Sequence, residues 1–207
     1  MKRDLFLAGL VLIAISCEKN PDMDQTDTRM TVYTDYDSEA DFNKYKTYYL
    51  PDSLLDVGSQ RASYWSDENA RKLVKEVEYE MNGRGYVRVK DPALKSSADL
   101  GIQLSYVSET NRIVSGGYYG GWWDYWYWGP MWGGLYYPYP VSYSYSTNTL
   151  VMEMLDLTDK TPDTRIPVIW RAQASGYQYS PMYNIPLLQE AIVQAFGQSE
   201  YLGCKNS

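Results

Sequence analysis

The stretch Ala98-Asp99-Leu100-Gly101-Ile102-Gln103-Leu104-Ser105-Tyr106-Val107 decides how the rest of the chain is read. Leu100, Ile102, Leu104 and Tyr106 recur at every second position, which places them on one face of an extended chain. Residues 147–157 repeat the pattern. There Leu150, Met152 and Met154 share one face, and Val151, Glu153, Leu155 and Leu157 the other. A third run, PVIWRAQA at 167–174, follows the turn residues 159–163 (DKTPD). Three consecutive strands predict an antiparallel meander. Trp170 is expected in its core, with Arg171 on the opposite face beside a carboxylate.

Outward from the meander, residues 30–36 (MTVYTDY) and 46–50 are rich in β-formers and predict two earlier strands, the second ended by Pro51. Residues 52–63 read as a loop. Residues 66–81 predict a helix, with Ala70, Leu73, Val74, Val77 and Met81 as one apolar stripe. Ser66 is expected to cap it, Asp67 and Glu68 to complement its dipole, and Gly83 or Gly85 to end it. Residues 86–89 form a short strand. Ile185, Leu188, Ile192, Ala195 and Phe196 mark a second amphipathic helix, with Pro186 in its first turn. The expected fold is therefore α+β, an antiparallel sheet with two helices on one face.

Residues 116–146 interrupt this order. They read GGYYGGWWDYWYWGPMWGGLYYPYPVSYSYS and hold five of the seven tryptophans. No helical or strand period runs through them, so they are expected to extend a hairpin from a domain that folds without them. Trp122, Trp123, Asp124, Trp126, Trp128, Trp132, Tyr136 and Tyr137 are the candidate contacts with a ligand or partner. Tryptophan and tyrosine favour the boundary between lipid and water, and their faces also stack on sugars. A membrane or envelope-protein contact and glycan binding both follow from this composition, as does simple self-packing of a Gly-rich extension.

The first residues set the compartment. Lys2 and Arg3 precede a short apolar run, Leu5 to Ile15, too short to span a bilayer. It ends at Ile13-Ala14-Ile15-Ser16-Cys17, which resembles the lipobox of a bacterial lipoprotein signal peptide. The resemblance implies lipid on Cys17 and a chain held to the outer membrane, facing the periplasm or the cell surface. The expected organisation is a signal peptide at 1–16, an acidic tether at 17–30, a domain at 31–197 and a polar tail at 198–207. With Cys17 carrying lipid, Cys204 has no intramolecular disulfide partner, because the chain has two cysteines.

Composition excludes several activities. The net charge of −7 disfavours nucleic acid, which requires a basic footprint. There is no histidine, so the Ser-His-Asp and Cys-His sites are impossible and the commonest metal ligand is missing. No P-loop, G-x-G-x-x-G or G-x-S-x-G occurs. Asp99, Asp124, Glu153 and Asp156 remain as carboxylates that a hydrolase would have to bring together; Asp99 starts a strand and Asp156 ends one, positions that suit turns and caps. The chain is read as non-enzymatic, with no cofactor, no metal and no catalytic residue.

Five motifs in order resemble one family. Asp41-Phe42-Asn43-Lys44-Tyr45-Lys46-Thr47-Tyr48 is similar to its opening, Gly85-Tyr86 to the close of its helix, and Ala98-Asp99-Leu100 to its next strand. Residues 150–157 with Asp156, and Val168-Ile169-Trp170-Arg171-Ala172, complete the set. In order and spacing they resemble the DUF4136 family of bacterial envelope lipoproteins, whose members often carry a Gly/Tyr/Trp-rich insert at this place. The resemblance implies a fold and a compartment, and no activity.

Overall fold

The computed structural model describes residues 30–57, 62–107, 112–115, 128, 133–145, 148–159, 165–176 and 181–203. Strands β1 (Thr31–Tyr36), β2 (Thr47–Tyr49), β3 (Leu54–Val57) and β4 (Ala62–Trp65) precede helix α1 (Glu68–Gly83). Strands β5 (Val87–Val89), β6 (Leu100–Val107), β7 (Arg112–Ser115), β8 (Leu135–Tyr136), β9 (Ser142–Tyr145), β10 (Thr149–Asp156) and β11 (Ile166–Ser175) follow, and helix α2 (Pro181–Gly197) closes the order. Nine of these strands form one sheet, and β7 and β9 pair separately.

The meander is present. Strand β10 lies between β6 and β11, antiparallel to both, with Met152 opposite Leu104 and Ala172. Strand β1 continues the sheet antiparallel to β11. The expectation of a wholly antiparallel sheet is corrected. Strand β2 is parallel to β5 and to β6, β3 is parallel to β6, and β8 is parallel to β11. The cause of the β2–β5 pairing is a crossover: α1 carries the chain over the sheet before β5, and a return after a helix aligns strands in parallel. The segment read as a loop contains the hairpin of β3 and β4, with Leu55 opposite Tyr64.

Helix α1 forms where the stripe predicts. Its cap is Asp67, not Ser66: the Asp67 carboxylate accepts from the backbone N–H groups of Asn69 and Ala70, both at 2.9 Å. Those bonds hold it below the usual carboxylate range. At the other end Gly85 takes φ +89°, a left-handed conformation that glycine adopts without strain. Helix α2 begins earlier than the sequence suggests, so exposed Pro186 falls in its second turn.

Leu73, Val74, Val77 and Met81 of α1, with Leu188, Ile192 and Phe196 of α2, bury against Ile102, Leu104, Met152, Met154 and Trp170. Each such side chain contributes roughly 1.5–3 kcal/mol of transfer free energy. Both helices therefore cover one face. Trp170 packs there at 5.2 Å from the Phe196 ring and donates to Ser199 Oγ at 2.9 Å.

The opposite face is covered too. Val151, Leu155, Ile166 and Val168 bury against Trp128, Leu135, Tyr137 and Val141. All four covering residues belong to the aromatic insert. The expectation that the domain folds without 116–146 is thereby revised, because an uncovered Val/Leu/Ile face would lose its transfer free energy to water. Strands β6 and β10 are buried along their whole length, on both faces.

Two carboxylates lock one end of the sheet. Asp99 accepts from the N–H groups of Lys46 (2.8 Å) and Thr47 (2.9 Å) and from Thr47 Oγ1 (3.1 Å). Removal of the side chain leaves those donors without their acceptor. Asp99→Ala is expected to lower unfolding free energy by about 1–3 kcal/mol in urea titration with an unchanged slope. A loss within measurement error would mean water replaces the carboxylate at no cost.

Candidate functional site

Directly opposed residues of paired strands share a face. Asp35 of β1 opposes Arg171 of β11, Arg171 opposes Glu153 of β10, and Glu153 opposes Gln103 of β6. One row across the sheet thus carries an acid, a guanidinium, a second acid and an amide. It lies on the face away from the helices, among Val151 and Leu155. Gln103, Glu153 and Arg171 are buried.

The insert completes the row. Tyr137 donates its hydroxyl to Glu153 Oε1. Gln103 donates from Nε2 to Glu153 Oε2 at 3.0 Å and accepts at Oε1 from the Trp128 indole at 2.7 Å. Chain order is Trp128 to Gln103 to Glu153 to Tyr137, so both ends of the network come from the insert and its middle from the sheet. Burial pushes the Glu153 carboxyl above its ordinary value of 4.5, and Arg171, Tyr137 and Gln103 pull it back only in part.

Trp128 is seated by the absence of a side chain. It lies over Gly101, where an added Cβ would meet Trp128 Cη2 at 2.6 Å and Cζ3 at 2.8 Å. Tyr49 packs edge-on to the indole, with ring centroids 6.1 Å apart. Gly101, on the face of β6 opposite Leu100 and Ile102, is the floor of the tryptophan's seat.

The candidate contacts divide. Trp128 and Tyr137, expected at a contact surface, are 0% and 5% exposed; this is a correction, and its reason is that an indole N–H and a phenol find buried acceptors here. Tyr136 is half-buried, with the Arg165 guanidinium 5.5 Å from its ring centre. Trp122, Trp123, Asp124, Trp126 and Trp132 lie outside the described residues, as do Cys17 and Cys204. Gln103 and Gly101 were not singled out from sequence; an isolated glycine and a glutamine inside an otherwise apolar strand were the available signals.

Asp99 and Asp156 sit at the same end of the sheet, where the N–H of Leu157 meets the carbonyl of Asp99 at 2.9 Å. Both are held by one segment. Asp156 accepts from Tyr45 (2.5 Å), Lys44 (3.3 Å) and Thr158 (2.6 Å from Oγ1), next to the bonds of Asp99 with residues 46 and 47. Burial would raise the Asp156 carboxyl, but these donors hold it below its ordinary value. Their work is structural, joining the Lys44-Tyr45-Lys46-Thr47 segment to β6 and β10. Among the described residues no cluster of three or more acids, cysteines or histidines could hold a metal.

A family described as a domain of unknown function, DUF4136, matches residues 32–199. A crystal structure of a DUF4136 family protein from Bacteroides thetaiotaomicron is 37% identical, with 86% of this chain and all of that one covered (100%) and a TM-score of 0.72. A PelC dodecamer from Paraburkholderia phytofirmans is 13% identical over 84% of this chain and 98% of that one, at a TM-score of 0.36. A PDZ domain protein from Parabacteroides distasonis is 15% identical over 84% of this chain and 36% of its own, at 0.39. No curated protein matches the chain.

Gly101→Ala must displace Trp128 and is expected to cost about 1–3 kcal/mol. In a Trp128→Ala background the same change should cost far less, and additive effects in the double-mutant cycle would refute the seat. A second outcome concerns pH. The native Glu153 pKa lies above the unfolded value, so its contribution to stability is full in acid and is lost as pH rises through the native value. Glu153→Gln should flatten that part of the stability profile; parallel profiles for the two proteins would argue against it.

Proposed function

The chain belongs to the DUF4136 family, and on that premise we propose that it is a lipid-anchored, non-enzymatic domain of the cell envelope. In this reading Cys17 carries the lipid, residues 18–30 form the tether, and the aromatic insert contacts a partner or the membrane interface at the outer membrane.

The observation that carries the proposal is the rooting of the insert. Trp128, Leu135, Tyr137 and Val141 are buried against the sheet, and Trp128 and Tyr137 are tied to it by side-chain hydrogen bonds. Trp126 is two residues from that root and Trp122 six. Chain reach keeps even Trp122 within about 20 Å of it. A tryptophan-rich run tethered so closely to a folded surface is suited to contact, because less freedom is lost on binding than from a long free linker. The commitment of Asp99 and Asp156 to structural bonds supports the non-enzymatic part. Among the described residues no helix is long and apolar enough to cross a membrane.

Cys17→Ala is expected to release the chain from the membrane fraction and to abolish labelling with radioactive palmitate. Retention in the membrane with unchanged mobility would end the lipid-anchor reading. For the insert, alanine at Trp122, Trp123 and Trp126 together should weaken sedimentation of the unlipidated chain with anionic lipid vesicles. Retardation by a polysaccharide gel, lost in the same variant, would instead assign the insert to a glycan.

A further inference from the structure

The point where the chain enters the sheet is fixed. Met30 is buried in the helix-side core, and β1 begins directly after it. Thr31 opposes Ser175, Ser175 opposes Thr149, and Thr149 opposes Val107. One row across four strands thus closes this end of the sheet, with the Thr149 and Ser175 hydroxyls 3.0 Å apart. The clasp of Asp99 and Asp156 lies at the other end, where Leu100 opposes Asp156.

The segment between β6 and β10 leaves the sheet at that same row. Strand β6 ends at Val107, β10 begins at Thr149, and beyond them β7 and β9 pair as an antiparallel ribbon. Asn148 pins the return: it takes φ +62°, donates its N–H to the Val107 carbonyl at 2.7 Å and accepts from the Tyr106 hydroxyl at 3.0 Å. The roots of the insert lie elsewhere. Trp128 sits over Gly101 and Leu135 pairs with Ile166, both at the clasp end. From Gly101 to Val107 the strand runs about 20 Å.

The residue types of the ribbon suit a lipid surface. Strand β7 reads Arg112-Ile113-Val114-Ser115 and β9 reads Ser142-Tyr143-Ser144-Tyr145. Arg112 pairs with Tyr145 and Val114 with Tyr143, while Ile113 pairs with Ser144 and Ser115 with Ser142. Alternate register positions of a strand pair belong to one face. One set is therefore two tyrosines, a valine and an arginine, and the other is serine except for Ile113. Tyrosine favours the boundary between acyl chains and water, and a cation beside it favours anionic headgroups.

We propose that the β7–β9 ribbon is the part of this domain that meets the lipid surface, with the register set of Arg112, Val114, Tyr143 and Tyr145 toward it and the clasp end turned away. This rests on the lipid-anchor reading and adds an orientation to it. Met30 follows Cys17 by thirteen positions (30 − 17). Chain reach therefore keeps the lipid within about 45 Å of the row at Thr31. The ribbon leaves from that row, so the tether holds it at high effective concentration over the bilayer. The clasp end lies a full strand length further off.

The full lipidated chain in vesicles of phosphatidylethanolamine and phosphatidylglycerol tests this, in a Cys204→Ser background with lipid on Cys17. A single fluorophore is attached through Ser144→Cys in β9, or through Ser96→Cys in the exposed turn before β6 at the clasp end. Brominated acyl chains are expected to quench the label at position 144 several-fold more than the label at position 96. Tyr143→Ser with Tyr145→Ser should bring quenching of a label attached through Ser115→Cys down toward that at position 96; unchanged quenching removes the tyrosines from the contact. Equal quenching at 144 and 96 in a chain that does partition into the vesicles overturns the orientation and leaves the anchor standing. A chain that does not partition at all overturns both. Self-quenching between labelled chains at position 144, without quenching by lipid, overturns the proposal by assigning the ribbon to a second copy.

Discussion

A sheet buried on both faces requires cover on both faces. That constraint governs this molecule, because β6 and β10 are buried on both faces along their whole length. On one side the requirement is met by two helices, whose stripes interlock with Ile102, Leu104, Met152 and Trp170. On the other it is met by Trp128, Leu135, Tyr137 and Val141, which come from a segment with no amphipathic period of its own. Apolar transfer free energy depends on area removed from water and not on the kind of regular structure, so an aromatic segment without a helical stripe can cover a sheet as a helix does.

Covering a face that carries a charged row has a further condition. Gln103, Glu153 and Arg171 are buried within the same surface as Val151 and Leu155. Burial of such groups is costly unless they are hydrogen-bonded and paired. Tyr137 and Trp128 fulfil that condition from the insert side: one donates to the carboxylate and the other to the amide. The insert and the sheet therefore specify each other. Tyrosine and tryptophan suit the task because each combines a large apolar ring with a donor at its edge.

The recurrent motifs acquire a physical meaning at the other end of the sheet. Asp41 caps the short turn at Phe42–Lys44. Lys44 and Tyr45 bond to Asp156, while the backbone at 46 and 47 bonds to Asp99. Three motifs far apart in the chain are one clasp in space, which explains how residues that resemble catalytic carboxylates come to be structural.

Local periodicity determined much of this in advance. The alternation at 98–107, 147–157 and 167–174 defined the central strands and their two faces, and the stripe from Ala70 to Met81 defined the first helix. These patterns are short-range, since a strand repeats every second residue and a helix nearly every fourth. The β3–β4 hairpin escaped notice because Leu54–Val57 is too short to display a period. The cap moved from Ser66 to Asp67 because either side chain can accept from the first amides and only geometry selects between them. The parallel pairing of β2 with β5 and β6 was not legible, because strand direction follows from how a crossover returns and not from the residues of the strand. The same holds for the roots of the insert. Eight aromatic and acidic positions look alike in composition; what separates Trp128 is the empty Cβ position at Gly101 and the free acceptor of Gln103, and both belong to a strand much earlier in the chain. Sequence determined which residues want burial, and tertiary structure decided what buries them, because a covering partner is chosen by long-range shape and hydrogen-bond complementarity.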